Sequence, residues 1–225
     1  MAEPTFAQGK PLLTEEELME LEPLGHVFHR EAEHVFISQG EETDFALLIK
    51  KGHVKVVVGR PPRIVAIRGP NEMVGEMAAV RQKPRSASII ALNEVEVLHL
   101  PAVEWLKFLY RHPRAMHAQL FAADERLDQA TRKVLESDLA VEQRLAKALI
   151  DLVDSGVGTH NEKGVGIRFS QQDLATLTGA SLDSVKKIVR TFKNGQLIST
   201  GRQALVIHDV AGLVEIAAGH RTALL

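Results

Sequence analysis

Residues 170–207, SQQDLATLTGASLDSVKKIVRTFKNGQLISTGRQALVI, restrict this chain's fold more than any other stretch. Two short helical patterns flank Thr178-Gly179-Ala180, and a polar hairpin follows. Ser170 is placed to cap the first helix, with Asp173 three residues on as a capping-box partner, and Ser181 to cap the second, with acidic Asp183 in its first turn. Leu174, Ala175 and Leu177 give the first helix an apolar face; Val185, Ile188, Val189 and Phe192 give one to the second. Gly179 falls in the short turn, where helix-turn-helix units often place glycine. Between Ser184 and Ile207 stand five basic residues, Lys186, Lys187, Arg190, Lys193 and Arg202, and no acidic one. Such a surface suits phosphates, so the pattern reads as a winged helix-turn-helix on duplex DNA. A helical hairpin with a solvated basic face is the plainer alternative.

The totals keep that surface local. Net charge is −2, so the molecule is no polycation, and 225 residues suffice for one large or two small domains. With no cysteine there is no disulfide, thiolate metal site or cysteine nucleophile. No apolar run reaches membrane-span length, and MAEPTFAQGK lacks a signal-peptide core, so a soluble, cytoplasmic protein with no membrane partner is expected.

Thr14-Glu15-Glu16-Glu17 reads as a capping-box start of a helix through about Leu21. From about Val27 to Leu100 short β-branched runs recur: Phe45–Ile49, Val54–Val58, Ile64–Ile67, Ala87–Leu92 and Val95–Leu100, separated by Lys51-Gly52, Gly59-Arg60-Pro61-Pro62 and Gly69-Pro70-Asn71. Closely spaced strands suggest an antiparallel barrel or roll. From Pro113, Met116, Leu120, Ala123, Leu127, Ala130 and Val134 follow a 4-3-4-3-4 spacing. This predicts a two-helix dimer seam; a single amphipathic helix lying on its own roll is the alternative. Ser137-Asp138 reads as a hinge, Leu145, Leu149, Ile150 and Val153 as a new helical face, and Ser155–Gly166 as a Gly-rich loop or hairpin. Trp105 and Phe108 read as core or lid packing near the start of the long helix. The chain divides into 1–112, 113–137 and 138–225.

Within the roll, Val74-Gly75-Glu76-Met77 and Pro84-Arg85-Ser86-Ala87 combine three chemistries. A glycine admits close backbone approach, a carboxylate accepts from a ribose hydroxyl, and an arginine beside a serine cradles a phosphate. A surface loop with a Glu–Arg pair is equally compatible with the spacing. The ten histidines, including His26, His29 and His34, lack metal spacing and read as surface or half-buried; nothing marks His99 or His112 as an axial haem ligand, and no metal is expected.

At these residues the chain resembles the cyclic-AMP receptor protein / FNR family of bacterial transcription regulators. The resemblance rests on Gly52 with Val54–Val58, Gly75-Glu76, Pro84-Arg85-Ser86-Ala87, the seam helix, and the helix-turn-helix followed by Gly195-Gln196-Leu197-Ile198. It implies an α+β fold: an N-terminal antiparallel β-roll of the cyclic-nucleotide-binding type, a long dimerisation helix and a C-terminal winged helix-turn-helix. It also implies a homodimer on a near-palindromic operator in double-stranded DNA, with RNA polymerase as a further expected partner. Glu76 would take the ribose 2′-hydroxyl, Arg85 and Ser86 the cyclic phosphate, with Gly75, Met77 and Ala87 around them, and Arg126 would brace Glu76. The effector is expected to be a cyclic nucleotide, cyclic AMP or cyclic GMP. The family's Thr-Ser pair for adenine falls on Ala130-Thr131, where one polar contact is lost. Cyclic GMP, a cyclic dinucleotide and weak cyclic-AMP binding therefore stay open.

By the same resemblance the helix from Ser181 enters the major groove, but Leu182 and Asp183 stand where the familiar members place Arg-Glu. Asp183 can accept from cytosine, Lys187 can donate to guanine and Leu182 can touch a thymine methyl. Lys186, Arg190 and Arg202 suit phosphates, Ser170 and Gln171 the backbone, and Ser184 lies on the same first turn. The expected function is a DNA-binding regulator under cyclic-nucleotide control. A constitutive DNA-binding protein whose roll only dimerises is the second reading. An enzyme or kinase-type regulatory subunit is a third, and no catalytic constellation supports it.

Overall fold

The computed structural model describes residues 12–81, 83–201 and 204–222, so Arg202 lies outside the described residues. Helix α1 (Glu15–Leu21) opens on the expected capping box, the Thr14 hydroxyl accepting from the Glu17 amide and the Glu17 carboxylate from the Thr14 amide. Strands β1 (His26–Arg30), β2 (Val35–Ile37), β3 (Phe45–Lys51), β4 (Val54–Val58), β5 (Arg63–Arg68), β6 (Met73–Val74), β7 (Ser88–Ala91) and β8 (Val95–Pro101) form two four-stranded antiparallel sheets. Their orders are β1-β8-β3-β6 and β2-β7-β4-β5. Ile37, Leu47, Ile49, Val54, Ile89 and Val97 fill the space between the sheets. Leu48, Leu98 and Leu100 pack on the other face of the first sheet against Leu21, Trp105 and Phe108. Strand β3 is therefore covered on both sides, which is why it reads as an unbroken apolar run and not an alternation.

Helix α2 (Glu76–Arg81) lies between Gly75 and Pro84, a stretch to which the sequence reading assigned no helix. Trp105 and Phe108 lie on a separate helix, α3 (Ala102–Arg111), and are core residues. Helix α4 (Pro113–Glu136) starts afresh because Pro113 excludes the helical conformation at His112, which sits at φ −121°, ψ 82°. Helix α4 touches the roll through polar residues: Gln119 and Arg126 reach Glu76, Gln129 meets Arg68, and Lys133 donates to the Val65 carbonyl at 2.6 Å. Its apolar seam faces away, with Leu120, Leu127 and Val134 at 68%, 65% and 70% exposed. A helix using its apolar stripe to lie on its own roll would cover these residues; here they are exposed.

After Ser137 come α5 (Val141–Asp154), β9 (Thr159–Asn161), β10 (Gly164–Ile167), α6 (Gln171–Thr178), α7 (Leu182–Asn194), β11 (Ile198–Gly201), β12 (Ala204–Ile207) and α8 (Val210–Ala217). Strands β11, β12, β10 and β9 pair in that order, so the hairpin after α7 is one edge of a small sheet. Leu145, Leu149, Val185, Phe192, Leu213 and Ile216 form its core, and Ile64 and Leu92 of the roll join the same cluster. Polar contacts tie the same surfaces: buried Lys55 of β4 binds Glu33 at 2.8 Å and Asp173 of α6 at 3.2 Å, and His53 donates from Nε2 to the Ser155 carbonyl at 3.1 Å. Among the described residues no helix is long and apolar enough to cross a membrane, and no group of three or more His, Asp or Glu side chains is placed to hold a metal.

Candidate functional site

A cavity opens between β5, the start of α2, the segment before β7 and helix α4. Gly75, Glu76, Met77, Arg85, Ser86, Ala87, Arg126 and Ala130 line it, together with Arg68, Gln129 and the apolar walls Val56, Val74 and Ile89. Eight of the nine ligand residues expected from sequence thus meet in one place. Thr131 does not: it is exposed on α4, and its hydroxyl donates to the Leu127 carbonyl one turn back. Adjacent helical residues point about 100° apart, so a helix that turns Ala130 into the cavity turns Thr131 out of it within this chain.

Glu76 is the first residue of α2 and is 1% exposed. Its Oε1 accepts from Arg126 Nη1 and, at 3.3 Å, from Gln119 Nε2. Arg126 also donates from Nη2 to the Met73 carbonyl, which fixes the guanidinium across the start of α2. Among the described residues Glu76 Oε2 accepts no hydrogen bond, leaving one oxygen of a buried carboxylate for a donor in the cavity.

Arg85 is also buried, at 3% exposure, but its guanidinium is already engaged. Nε donates to the Thr43 hydroxyl at 2.7 Å, Nη1 to the Gly75 carbonyl at 2.6 Å and Nη2 to the Phe45 carbonyl at 2.8 Å, and the guanidinium lies over the Phe45 ring. Burial pulls its pKa down while Asp44, Glu41 and Glu76 pull it back; it stays cationic. Two of its five N–H groups remain. Gly75 is needed here for a reason the sequence did not reveal. It sits at φ +78°, and a Cβ there would stand 2.7 Å from Ile37 Cδ1 and 3.0 Å from Arg85 Nη1. The close approach it permits is to Arg85. Ser86 is exposed at the rim, where its hydroxyl and the adjacent backbone complete the polar end of the cavity.

Sequence reading missed Arg68 and Gln129. Arg68 ends β5 directly before the Gly69-Pro70-Asn71 turn and looks like an ordinary turn-flanking charge. Pairing of β5 with β4 and the crossing of α4 bring it to Gln129 Oε1 at 2.9 Å. Nothing local to residue 68 announces a partner 61 positions away.

On the C-terminal side the caps are as expected. The Ser170 hydroxyl accepts from the Asp173 amide at 3.0 Å, and the Ser181 hydroxyl from the Ser184 amide at 3.1 Å. Gly179 closes α6 in the left-handed conformation at φ +66°. Helix α7 buries Val185, Val189 and Phe192 and exposes Asp183, Lys186, Lys187 and Arg190, which fall within an arc of roughly 100° on a regular helix. Leu182, the first residue of α7, is half-buried and packs against the core cluster, so it is less free than the charged residues that follow it. Asp183 and Lys186 lie 3.9 Å apart, a loose exposed pair worth little by itself. Gln171 is half-buried and lines a smaller cleft between α6 and the β11–β12 hairpin.

Two family models match the chain: a cyclic nucleotide-binding domain over residues 27–112 and a Crp-like helix-turn-helix domain over residues 143–216. The Cyclic AMP receptor protein of Thermus thermophilus is 28% identical over 188 residues, covering 80% of this chain and 83% of that one. The CRP-like cAMP-activated global transcriptional regulator of Mycobacterium tuberculosis is 25% identical over 184 residues, 78% and 81% of the two chains. Among solved structures, the c-di-GMP responsive global regulator CLP of Xanthomonas campestris aligns with a TM-score of 0.76 at 19% identity, over 87% of this chain and all of that one. A CRP-family transcriptional regulator of Thermus thermophilus aligns with a TM-score of 0.74 at 20% identity, over 85% and 96%.

Proposed function

From the premise that this chain belongs to the CRP/FNR family, as a DNA-binding transcription regulator with a cyclic-nucleotide-binding domain, we propose that a cyclic nucleotide in the roll controls its operator binding as a homodimer. The observation behind this reading is Glu76: a nearly fully buried carboxylate in a cavity wall, held through one oxygen by Arg126, with the other oxygen unpartnered. A ribose hydroxyl is the donor this oxygen suits, and Ser86, Ala87 and the remaining N–H groups of Arg85 suit the cyclic phosphate. Arg126 and Gln119 belong to α4, so ligand at Glu76 acts on the helix that bears the exposed seam. A shift of α4 along the seam would set two α7 helices about one DNA turn apart. Lys187 and Asp183 are the proposed base readers and Lys186 and Arg190 the phosphate contacts; Ser170, Gln171, Ser181 and Ser184 border the same surface. RNA polymerase is the proposed partner once the dimer is on its operator.

A second reading, DNA binding without ligand, is favoured by one observation: Arg85 already spends three of its donors on Thr43, Gly75 and Phe45. The two separate in one experiment. Operator affinity of the full chain is measured with and without saturating cyclic AMP or cyclic GMP. A change of tenfold or more supports nucleotide control. Tight binding indifferent to both, and unaltered in Glu76→Gln, supports the constitutive reading.

A further inference from the structure

The end of the cavity away from Arg85 is built from hydrogen-bond donors. Arg68, with its side chain 12% exposed, spends Nη1 on Gln129 Oε1 at 2.9 Å and on Glu72 Oε1 at 3.5 Å. Among the described residues its Nε and Nη2 make no hydrogen bond, and these adjacent groups form one fork of the guanidinium. Gln129 Oε1 is taken by Arg68 itself and Glu72 Oε2 by the Gly69 amide at 2.7 Å, and the free oxygen of Glu76 is the one assigned to the ribose hydroxyl. Gln129 Nε2 adds further N–H groups next to Arg68, and Ala130 offers nothing polar. Burial pulls the Arg68 pKa down, Glu72 and Glu76 oppose the shift, and a second guanidinium, Arg126, adds to it. An electron-rich edge placed here is attracted by both cations.

Guanine presents such an edge. Its O6 and N7 are adjacent acceptors spaced for one arginine fork, whereas adenine presents N7 beside an amino group that itself needs an acceptor. We propose that Arg68 and Gln129 read the base, and that the cavity selects a cyclic nucleotide carrying guanine over one carrying adenine. The inference rests on the cyclic-nucleotide reading of the cavity and adds its base class.

The test is calorimetric titration of the full chain with cyclic GMP, cyclic IMP, cyclic AMP and 7-deaza-cyclic GMP, and with cyclic di-GMP and cyclic di-AMP. Cyclic GMP and cyclic IMP share O6 and N7 and should each bind roughly 10- to 100-fold more tightly than cyclic AMP. The 7-deaza analogue, which lacks one acceptor, should lose most of that margin. In Arg68→Leu the margin should close, with cyclic GMP losing more affinity than cyclic AMP. Cyclic di-GMP binding more tightly than cyclic GMP supports the inference and names the dinucleotide as the source of guanine. Cyclic AMP or cyclic di-AMP binding as tightly as its guanine counterpart overturns the inference and leaves the nucleotide reading standing. An unchanged margin in a folded Arg68→Leu overturns it likewise. Binding of none of the six overturns both. The comparison of cyclic GMP with its 7-deaza analogue uses the unaltered protein, so it decides the matter even where Arg68→Leu fails to fold.

Discussion

Arg85 and Gly75 depend on one another at the level of single atoms. The guanidinium donates to the Gly75 and Phe45 carbonyls, and Gly75 leaves room for it only because no Cβ intervenes. Arg85→Ala strands both buried carbonyls, at about 1–3 kcal/mol for each unsatisfied group, so thermal unfolding should show a loss of about 2–6 kcal/mol without any ligand present. Gly75→Ala places a side chain at φ +78° against Ile37 and Arg85 and should cost about 1–3 kcal/mol in the same measurement. Glu76→Gln is the cleaner ligand-site variant: it is isosteric, it keeps Oε1 as an acceptor for Arg126, and it removes the charge and turns the free Oε2 acceptor into an N–H donor.

At the level of elements, α4 presents two faces with opposite chemistry. Its polar stripe, Gln119, Arg126, Gln129 and Lys133, is spent on the roll, and its apolar seam is left uncovered. A second copy of the same stripe is the natural cover, and Leu127→Lys at its centre should shift the protein from dimer to monomer in sedimentation velocity at micromolar concentration. Helix α7 is divided differently, with Val185, Val189 and Phe192 inward and the charged arc outward. Lys187→Ala should relax sequence preference at one operator position, at about 1–3 kcal/mol. Arg190→Ala should weaken binding to all sequences alike and reduce the salt slope by about one. Competition binding against operator variants and a salt titration separate the two effects.

For the molecule as a whole, the β4–β5 hairpin is the junction. It is gripped on one side by Gln129 and Lys133 of α4, and on the other by α6 through Lys55–Asp173 and the shared core residue Ile64. His53 lies in the same junction. It is 6% exposed, Nε2 donates to Ser155, and Nδ1 has no partner among the described residues. Burial pushes its pKa below the ordinary histidine value, with the Ser155 bond and Glu72 opposing. The folded state therefore binds fewer protons than the unfolded one. The contribution of His53 is fully present above the unfolded pKa of about 6.5 and is lost as pH falls through the folded pKa. His99 is shifted the same way by burial. Unfolding measured between about pH 7.5 and pH 5 should show stability falling with acid, and His53→Gln should make that fall shallower, leaving the share due to His99.

Local sequence was sufficient wherever the physics is local. The caps at Thr14, Ser170 and Ser181, the turn at Gly179, the β-branched strands and the apolar stripe of the long helix were legible because each depends on residues within one or two turns of one another. Glu76, Arg85, Ser86 and Arg126 were legible only through the resemblance, since their spacing alone suited a surface ion pair equally well. Chain packing decided the rest. It turned Thr131 out of the cavity and set Leu182 partly against the core, and it separated Trp105 and Phe108 from the long helix at His112. It spent three of the five Arg85 N–H groups on the Gly75 and Phe45 carbonyls and the Thr43 hydroxyl, and it brought Arg68 to Gln129 across 61 residues. The sequence determined which elements form and which of their faces are apolar, because hydrogen-bonded periodicity and capping act over a few residues. Which donors remain free to meet a ligand was decided by tertiary structure, because a buried guanidinium takes whatever carbonyls and carboxylates the fold sets beside it.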